Sequence, residues 1–329
     1  MHGPPCGESL DSPGSPTCHG DALMARILVT GIANPAGSSL ARQLKAKGHW
    51  VLGVDVLPGR GGFADVVSAV SPPDALGYLW ELRGLVATHG IEVLIPTMNA
   101  ELVVVSDARD DFAPGVRVVV ADPAPVKTAH DKYFTMTCLA AAGVSVPRFG
   151  LPGSLGSVHD AMDMLGGPLV VKPRISRDGR GLCLLERTSD AGARAARIWA
   201  GLDDSWIVQR FAPGTEYASP GLRSGRLNDP NDVLVVLEKT LRGATGRDGS
   251  PTVSIRKVQD SDVASVAASA AAALGLTGPF SVDIRRLQDG KPAVLEVEAR
   301  FGMFSAHAPR ILDRILDRLA QGQPLGKSA

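Results

Sequence analysis

The sequence is sparing with cysteine, with charge of either sign in excess and with long apolar runs, and each shortage excludes something. Four cysteines in 329 residues, Cys6, Cys18, Cys138 and Cys183, show no CxxC spacing. That argues against a zinc site and a disulfide framework and favours a reducing cytoplasm. Lys plus Arg and Asp plus Glu both number 34, so no global field draws the chain to nucleic acid or acidic lipid, and neither is expected as a partner. No apolar run reaches the ~18 residues of a spanning helix, so no membrane segment is expected. What remains, 44% hydrophobic and 21% charged, reads as a globular chain of about two domains.

The first 23 residues, rich in Pro, Gly and Ser and without an apolar signal core, read as a disordered tail. From Arg26, ILVTGIANPAGSSLARQLKAKGHWVLGVDV reads as strand, glycine turn, amphipathic helix and a second strand ending at Asp55, a βαβ unit of a parallel sheet. Gly31 and Gly37 resemble part of a dinucleotide fingerprint, but Asn34 stands at its middle glycine. Short-chain oxidoreductases and epimerases also need a Tyr and a Lys four apart. Here Tyr78, Tyr133 and Tyr217 are followed at that distance by Leu82, Thr137 and Gly221. An NAD(P)-binding oxidoreductase therefore stays only as an alternative, and the turn is left as a helix N-terminus that holds a small anion or nothing. Helices over 73–89 and 100–110 and two more strands close this domain near Asp122. PTMNAE ends a strand at the carboxyl edge of the sheet, so Asn99 and Glu101 either see substrate or, for Asn99, cap the next helix.

After Pro125 the texture changes. A helix led by Asp131-Lys132 precedes a strand VPRFG, and PLVVKPR is a strand carrying Lys172. An ammonium inside an apolar strand needs a partner, and a phosphate supplies one. The following turn, 176–181, offers Gly179 and Gly181 with Arg177 and Arg180, or is a plain hairpin loop. A helix over 189–201 follows.

Near the carboxyl end, GPFSVDIRRLQDGKPAVLEVEARFGM predicts a hairpin across Gln288-Asp289-Gly290. Glu296 and Glu298, two apart, leave one face, and Asp283 can sit opposite them. Three carboxylates on a mostly buried sheet repel unless neutralised, and an all-oxygen set suits Mg²⁺ completed by water and nucleotide phosphates. Spacing alone leaves open an ordinary hairpin with a solvated acidic face. Lys239 and, more weakly, Arg242, Arg247 and Arg256 are candidate substrate-side cations. The segment 218–234 reads as a long loop, and the Ala-rich helix near 263–276 as core.

With WIVQRFAPGTEYA added, the order of motifs from about Ile27 to the end resembles the ATP-grasp superfamily, which includes D-alanyl-D-alanine ligases, biotin carboxylase and carbamoyl phosphate synthetase. The resemblance implies an α/β and α+β fold: a tail (1–23), an open parallel-sheet, Rossmann-like domain (24–125), a lid subdomain (126–205) and an antiparallel subdomain carrying the metal hairpin (206–329). It implies an ADP-forming carboxylate-amine ligase working through an acyl phosphate, with ATP and two Mg²⁺ ions. Small carboxylate and amine substrates, amino acids or peptides, would be its partners, and a homodimer is compatible with it. A degenerate ATP-binding regulator is the main alternative. Residue by residue, it assigns the phosphates to Lys132 and Lys172, which the backbone of Gly179 and Gly181 in the turn could also approach, the adenine edge to Gln209, Arg210, Phe211 and Ala212, and the ribose to Glu216. It gives the metals to Asp283, Glu296 and Glu298, and the transferred phosphoryl group to Arg300; Lys239, by its place in a strand, is the preferred phosphate contact among the basic residues before the hairpin. The chain departs from the family pattern at Glu298, where Asn is usual, and at Gln209, where Glu is common.

Overall fold

The structure is a computed structural model, and it describes residues 24–59, 62–175, 181–187, 189–226, 229–241 and 252–323. The chain opens with β1 (Arg26–Thr30), α1 (Pro35–Ala46), β2 (Trp50–Asp55), β3 (Val66–Ala69), α2 (Tyr78–Thr88), β4 (Val93–Ile95), α3 (Asn99–Asp107) and β5 (Arg117–Val118). Strands β3-β2-β1-β4-β5 form one parallel sheet. Period-two alternation sorts its two faces: Ile27 and Val29 pack with α1, while Leu28 packs with Tyr78, Leu82 and Val86 of α2.

Two helices follow, α4 (Pro123–His130) and α5 (Lys132–Ala141). The next unit, around the segment expected as a lid, contains β6 (Phe149–Gly150), α6 (Pro152–Leu155), α7 (Val158–Leu165), β7 (Leu169–Pro173), β8 (Cys183–Leu185), α8 (Ser189–Trp199) and β9 (Trp206–Arg210). Its antiparallel sheet runs β6-β9-β7-β8. Val171 and Val208 face the lid's own core. The register pairs Lys172 with Ile207 and Val170 with Gln209, so Lys172 and Gln209 share the opposite face.

The last subdomain holds β10 (Glu216–Arg223), β11 (Val233–Leu234), β12 (Val236–Leu241), β13 (Thr252–Val258), α9 (Ser261–Ala273), β14 (Gly278–Arg286), β15 (Pro292–Glu298) and α10 (Pro309–Ala320). Its sheet order is β13-β12-β10-β14-β15, with β11 extending the pairing of β10. One face, with Val282, Ile284 and Val294, packs on α4, α5 and α9. Ala218, Leu222 and Leu237 turn the other way and share a core with α1, α10 and β1. The alternation then leaves Glu216, Asp283 and Arg285 on that second face.

Several expectations need correction. The segment expected as a loop after Glu216 is largely strand β10, central in its sheet and paired with β14 along eight residues. Its Pro220 survives there because β12 covers 216–218 and β11 covers 221–222, leaving the proline at the gap between them. Helix α2 starts at Tyr78 rather than 73, since Pro72 and Ala75 carbonyls close turns first. The strand expected over VPRFG shrinks to Phe149–Gly150. Strand β3 and helices α4, α6, α7 and α10 had no counterpart in the expectations.

Candidate nucleotide and metal site

The hairpin β14–β15 places Asp283 directly opposite Glu296 and Ser281 opposite Glu298. A bulge between Asp283 and Ile284 sets one extra residue, Leu295, into β15, and its carbonyl is re-aimed to accept a 3.0 Å hydrogen bond from Lys172 Nζ. The bulge therefore joins lid strand β7 to the hairpin.

Around this hairpin, cations and carboxylates alternate. Lys132 Nζ lies 3.1 Å from Glu296. Lys239 Nζ bridges Glu216 at 3.1 Å and Asp283 at 2.8 Å. Arg285, opposite Glu216 in the register, holds its second oxygen at 3.0 Å. Arg300, 7% exposed, pairs with Glu298 at 2.6 Å. Five cations thus face four carboxylates on one cleft between lid and sheet.

This mixture sets the protonation states. Burial pushes Lys172 down to about 8, with Lys132 adding to it and Glu296 opposing it. Burial works against ionised Glu296 too, but Lys132 and Lys172 outweigh it and its carboxyl titrates below the usual range. Glu298 is raised by burial, and Glu296 and Asp283 reinforce that against Arg300. Lys239 is held above the usual lysine range, because Asp283 and Glu216 overcome its desolvation.

The lysines are braced from behind. Asp131 caps α5 by accepting from the Tyr133 and Phe134 amides, at 2.9 and 3.3 Å. It also takes Arg174 Nη2 at 2.7 Å, and the Lys132 amide donates to the Arg174 carbonyl at 3.0 Å. Arg174 stacks over Tyr133 and Phe134. Lys132 and Lys172 are thus fixed by one pair that spacing did not reveal.

Gln209 is 2% exposed and its Nε2 has no hydrogen-bond partner among the described residues, an orphan donor on the Lys172 face that a bound base would satisfy. The Arg210 and Phe211 amides are committed to the Arg148 and Pro168 carbonyls, and the Ala212 carbonyl accepts from Arg285. Gly181 holds φ +81°, and a Cβ there would lie 3.1 Å from Pro173, so this glycine packs closely against the end of the lysine strand. Gly179, Arg177, Arg180, Arg242 and Arg247 fall outside the described residues. Arg256 pairs with Glu238 on the surface, away from the carboxylates.

In the amino-terminal domain Asn99 and Glu101 part company. Glu101 is fully buried and accepts from Thr30, Tyr78 and the Thr97 and Met98 amides, which makes it a structural tie; burial raises its carboxyl. Asn99 reaches the hairpin instead, contacting Glu298 and Arg300, and does not cap α3, whose cap position is Met98. The glycine turn after β1 is filled: a Cβ on Gly37 would lie 2.2 Å from the Gly31 carbonyl oxygen. The Asp55 carboxylate already accepts from the Ala33 amide at 3.2 Å, so a phosphate arriving there meets like charge.

The ATP-grasp domain family matches residues 129–303, more than half of the chain. The chain belongs to the ATP-grasp family. Among curated relatives of this ATP-grasp chain, the probable alpha-L-glutamate ligase of Sodalis glossinidius (strain morsitans) is 33% identical over 200 residues, covering 58% of this chain and 64% of the relative. The ribosomal protein bS6--L-glutamate ligase of Escherichia coli O1:K1 / APEC is 30% identical over 184 residues, covering 54% and 58%. The matches therefore span less than two thirds of these relatives' lengths. Among solved structures, the L-amino acid ligase from Bacillus licheniformis superposes with a TM-score of 0.66 at 17% identity, covering 90% of this chain and 74% of that one, which shows a shared fold.

The donor set can be tested against a metal. Asp283, Glu296 and Glu298 offer only hard oxygens, which fits Mg²⁺ and excludes a soft-metal preference. Among the described residues no three His, Cys, Asp or Glu side chains are gathered closely enough to hold an ion, because Lys239, Lys132 and Arg300 each draw one carboxylate aside. Also among the described residues, no helix is long and apolar enough to cross a membrane.

Proposed function

We propose that this ATP-grasp chain joins a carboxylate to an amine with cleavage of ATP to ADP and phosphate. The observation that carries the reading is the cleft itself, where Lys132, Lys172, Lys239 and Arg300 interleave with Asp283, Glu296 and Glu298. A site of this kind suits a polyanion and a hard cation arriving together. The phosphates would take the cations and release the carboxylates to Mg²⁺, which when bound would neutralise phosphate charge. Asp283, Glu296 and Glu298 are the residues that would hold it.

In the first step a substrate carboxylate oxygen attacks the γ-phosphorus and the bond to the β-bridging oxygen breaks, releasing ADP. Lys132 and Lys172 spread the charge of the phosphates, and Arg300 holds the transferred group. In the second step the amine nitrogen attacks the acyl carbon, phosphate departs with the C–O electron pair, and the nitrogen loses a proton. The lid sheet, joined to the hairpin through Lys172 and Leu295, excludes water from the hydrolysable acyl phosphate. Gln209 would meet the base and Glu216, set by Arg285 and Lys239, the ribose. The names of the curated relatives favour L-glutamate as one substrate, acting on a small molecule or on a protein.

A screen of amino acids and amino-acid pairs for ADP release tests this. ADP formation that needs both a carboxylate and an amine, and that falls by at least ~10³-fold in Glu296→Gln, is the expected result. ATP binding without turnover under any pair supports the regulator reading instead.

A further inference from the structure

Asn99 is the first residue of α3, in the amino-terminal domain, yet its side chain belongs to a ring closed by the carboxyl-terminal hairpin. Its Oδ1 accepts from Arg300 Nε at 2.5 Å, and its Nδ2 donates to Glu298 Oε1 at 3.2 Å. Arg300 Nη2 donates to the same Glu298 oxygen at 2.6 Å. The remaining arm, Nη1, donates to the Phe301 carbonyl at 2.8 Å. Every nitrogen of the guanidinium is thus engaged, and its plane has one orientation.

The Asn99 backbone is equally fixed. Glu101 folds back on the Thr97 and Met98 amides, at 3.0 and 2.9 Å, and is tied to Thr30 and Tyr78, so the strand-to-helix turn carrying Asn99 has little freedom. Only a carboxamide serves at this point: it accepts from a cation on one side and donates to an anion on the other. An aspartate would repel Glu298, and an apolar residue would leave two charged groups short of a partner.

We infer that Asn99 is a positioning residue, through which the amino-terminal domain sets Arg300 and Glu298 for phosphoryl transfer. The inference rests on the ligase reading above. It also accounts for Glu298: the hairpin has a carboxylate where the family pattern writes Asn, and the carboxamide comes from the other domain.

The test compares Asn99→Ala, Asn99→Asp, Glu298→Gln and the double variant Asn99→Asp/Glu298→Gln. The double variant keeps the net charge and exchanges donor and acceptor. Its carboxylate, now on α3, accepts from Arg300 and from the carboxamide now on the hairpin, and that carboxamide still accepts from Arg300. Asn99→Ala should lower kcat about 10- to 100-fold, the size expected for a charge-assisted hydrogen bond. Its equilibrium ATP affinity should stay close to wild type, and its melting temperature should fall only by the modest amount that two under-partnered charged groups cost. The double variant should recover at least about tenfold over either component, the coupling expected of groups in one network. Three results would overturn the inference: Asn99→Ala with kcat unchanged; kcat, ATP affinity and melting temperature falling together; or a double variant no better than its worse component. The exchange rate of the Arg300 Nε–H, read by NMR on the free protein, supplies an arm that needs no turnover. Slow exchange in wild type and fast exchange in Asn99→Ala supports the ring; equal rates contradict it. A wild-type protein that releases no ADP with any substrate sinks the ligase reading while this arm still decides the role of Asn99.

Discussion

At the scale of single residues, Lys172 is the most consequential, because its burial costs the fold and, on the function proposed above, serves the nucleotide. Its ammonium is desolvated beside Lys132 and is held to about 8 against an ordinary 10.5. The folded pKa is depressed, so the cost to stability is full below about pH 8 and is relieved as pH rises from 8 towards 10.5. Lys172→Met should therefore raise the melting temperature at pH 7, by up to about 3 kcal/mol of stability, and weaken ATP binding at least about tenfold. ATP should restore the charge, so calorimetry in buffers of different ionisation enthalpy should show proton uptake growing between pH 7 and 9 in wild type and vanishing in the variant. Proton uptake that is flat across this range would contradict the role given to Lys172.

Much at this scale was legible. Asp283 opposite Glu296, Lys172 in an apolar strand and the Asp131-Lys132 helix start all follow from spacing, and the register pairs the two carboxylates across the hairpin. Arg285 was missed although it lies two residues from Asp283 on the same face; only the register puts it against Glu216. Asn99 to Arg300 joins residues 201 apart in the chain, and no periodicity reports such a contact.

At the scale of elements, the start of α5 and the end of β7 form one unit. Asp131 caps the helix carrying Lys132 and neutralises Arg174, two residues beyond Lys172. Asp131→Ala removes a cap worth about 1 kcal/mol and leaves a half-buried guanidinium short of its partner, so it should cost about 1–3 kcal/mol in all, measured by urea denaturation. ATP affinity should fall with it, since both phosphate lysines lose their brace; unchanged affinity would show that the pair is only structural. Spacing revealed the lysines and not the brace, because Asp131 reads equally well as an ordinary cap. Helix α10 was missed although Ile311, Leu312, Ile315 and Leu319 make one apolar stripe at helical spacing. Strand β10 was hidden, since Pro220 and Gly221 argue against a central strand and only the gap between β11 and β12 admits them.

At the scale of the whole molecule, three bodies meet at one cleft whose charges satisfy each other in the free protein. Lys132 with Glu296 and Lys239 with Asp283 are ion pairs that must open together. Mg²⁺ alone would strand the cations, and nucleotide alone would strand the carboxylates. Thermal melts should accordingly show little shift with Mg²⁺ or with ATP in EDTA, and a shift larger than their sum with both, equivalent to about 2.7 kcal/mol at a hundredfold excess over Kd. Strong stabilisation by Mg²⁺ alone would contradict the exchange of partners. The reaction itself is tested most directly by following oxygen. With a carboxylate substrate labelled with ¹⁸O in both oxygens, an acyl phosphate delivers one labelled oxygen to the phosphate released in each turnover. Phosphate carrying a single ¹⁸O is the predicted result; unlabelled phosphate formed together with amide would contradict it.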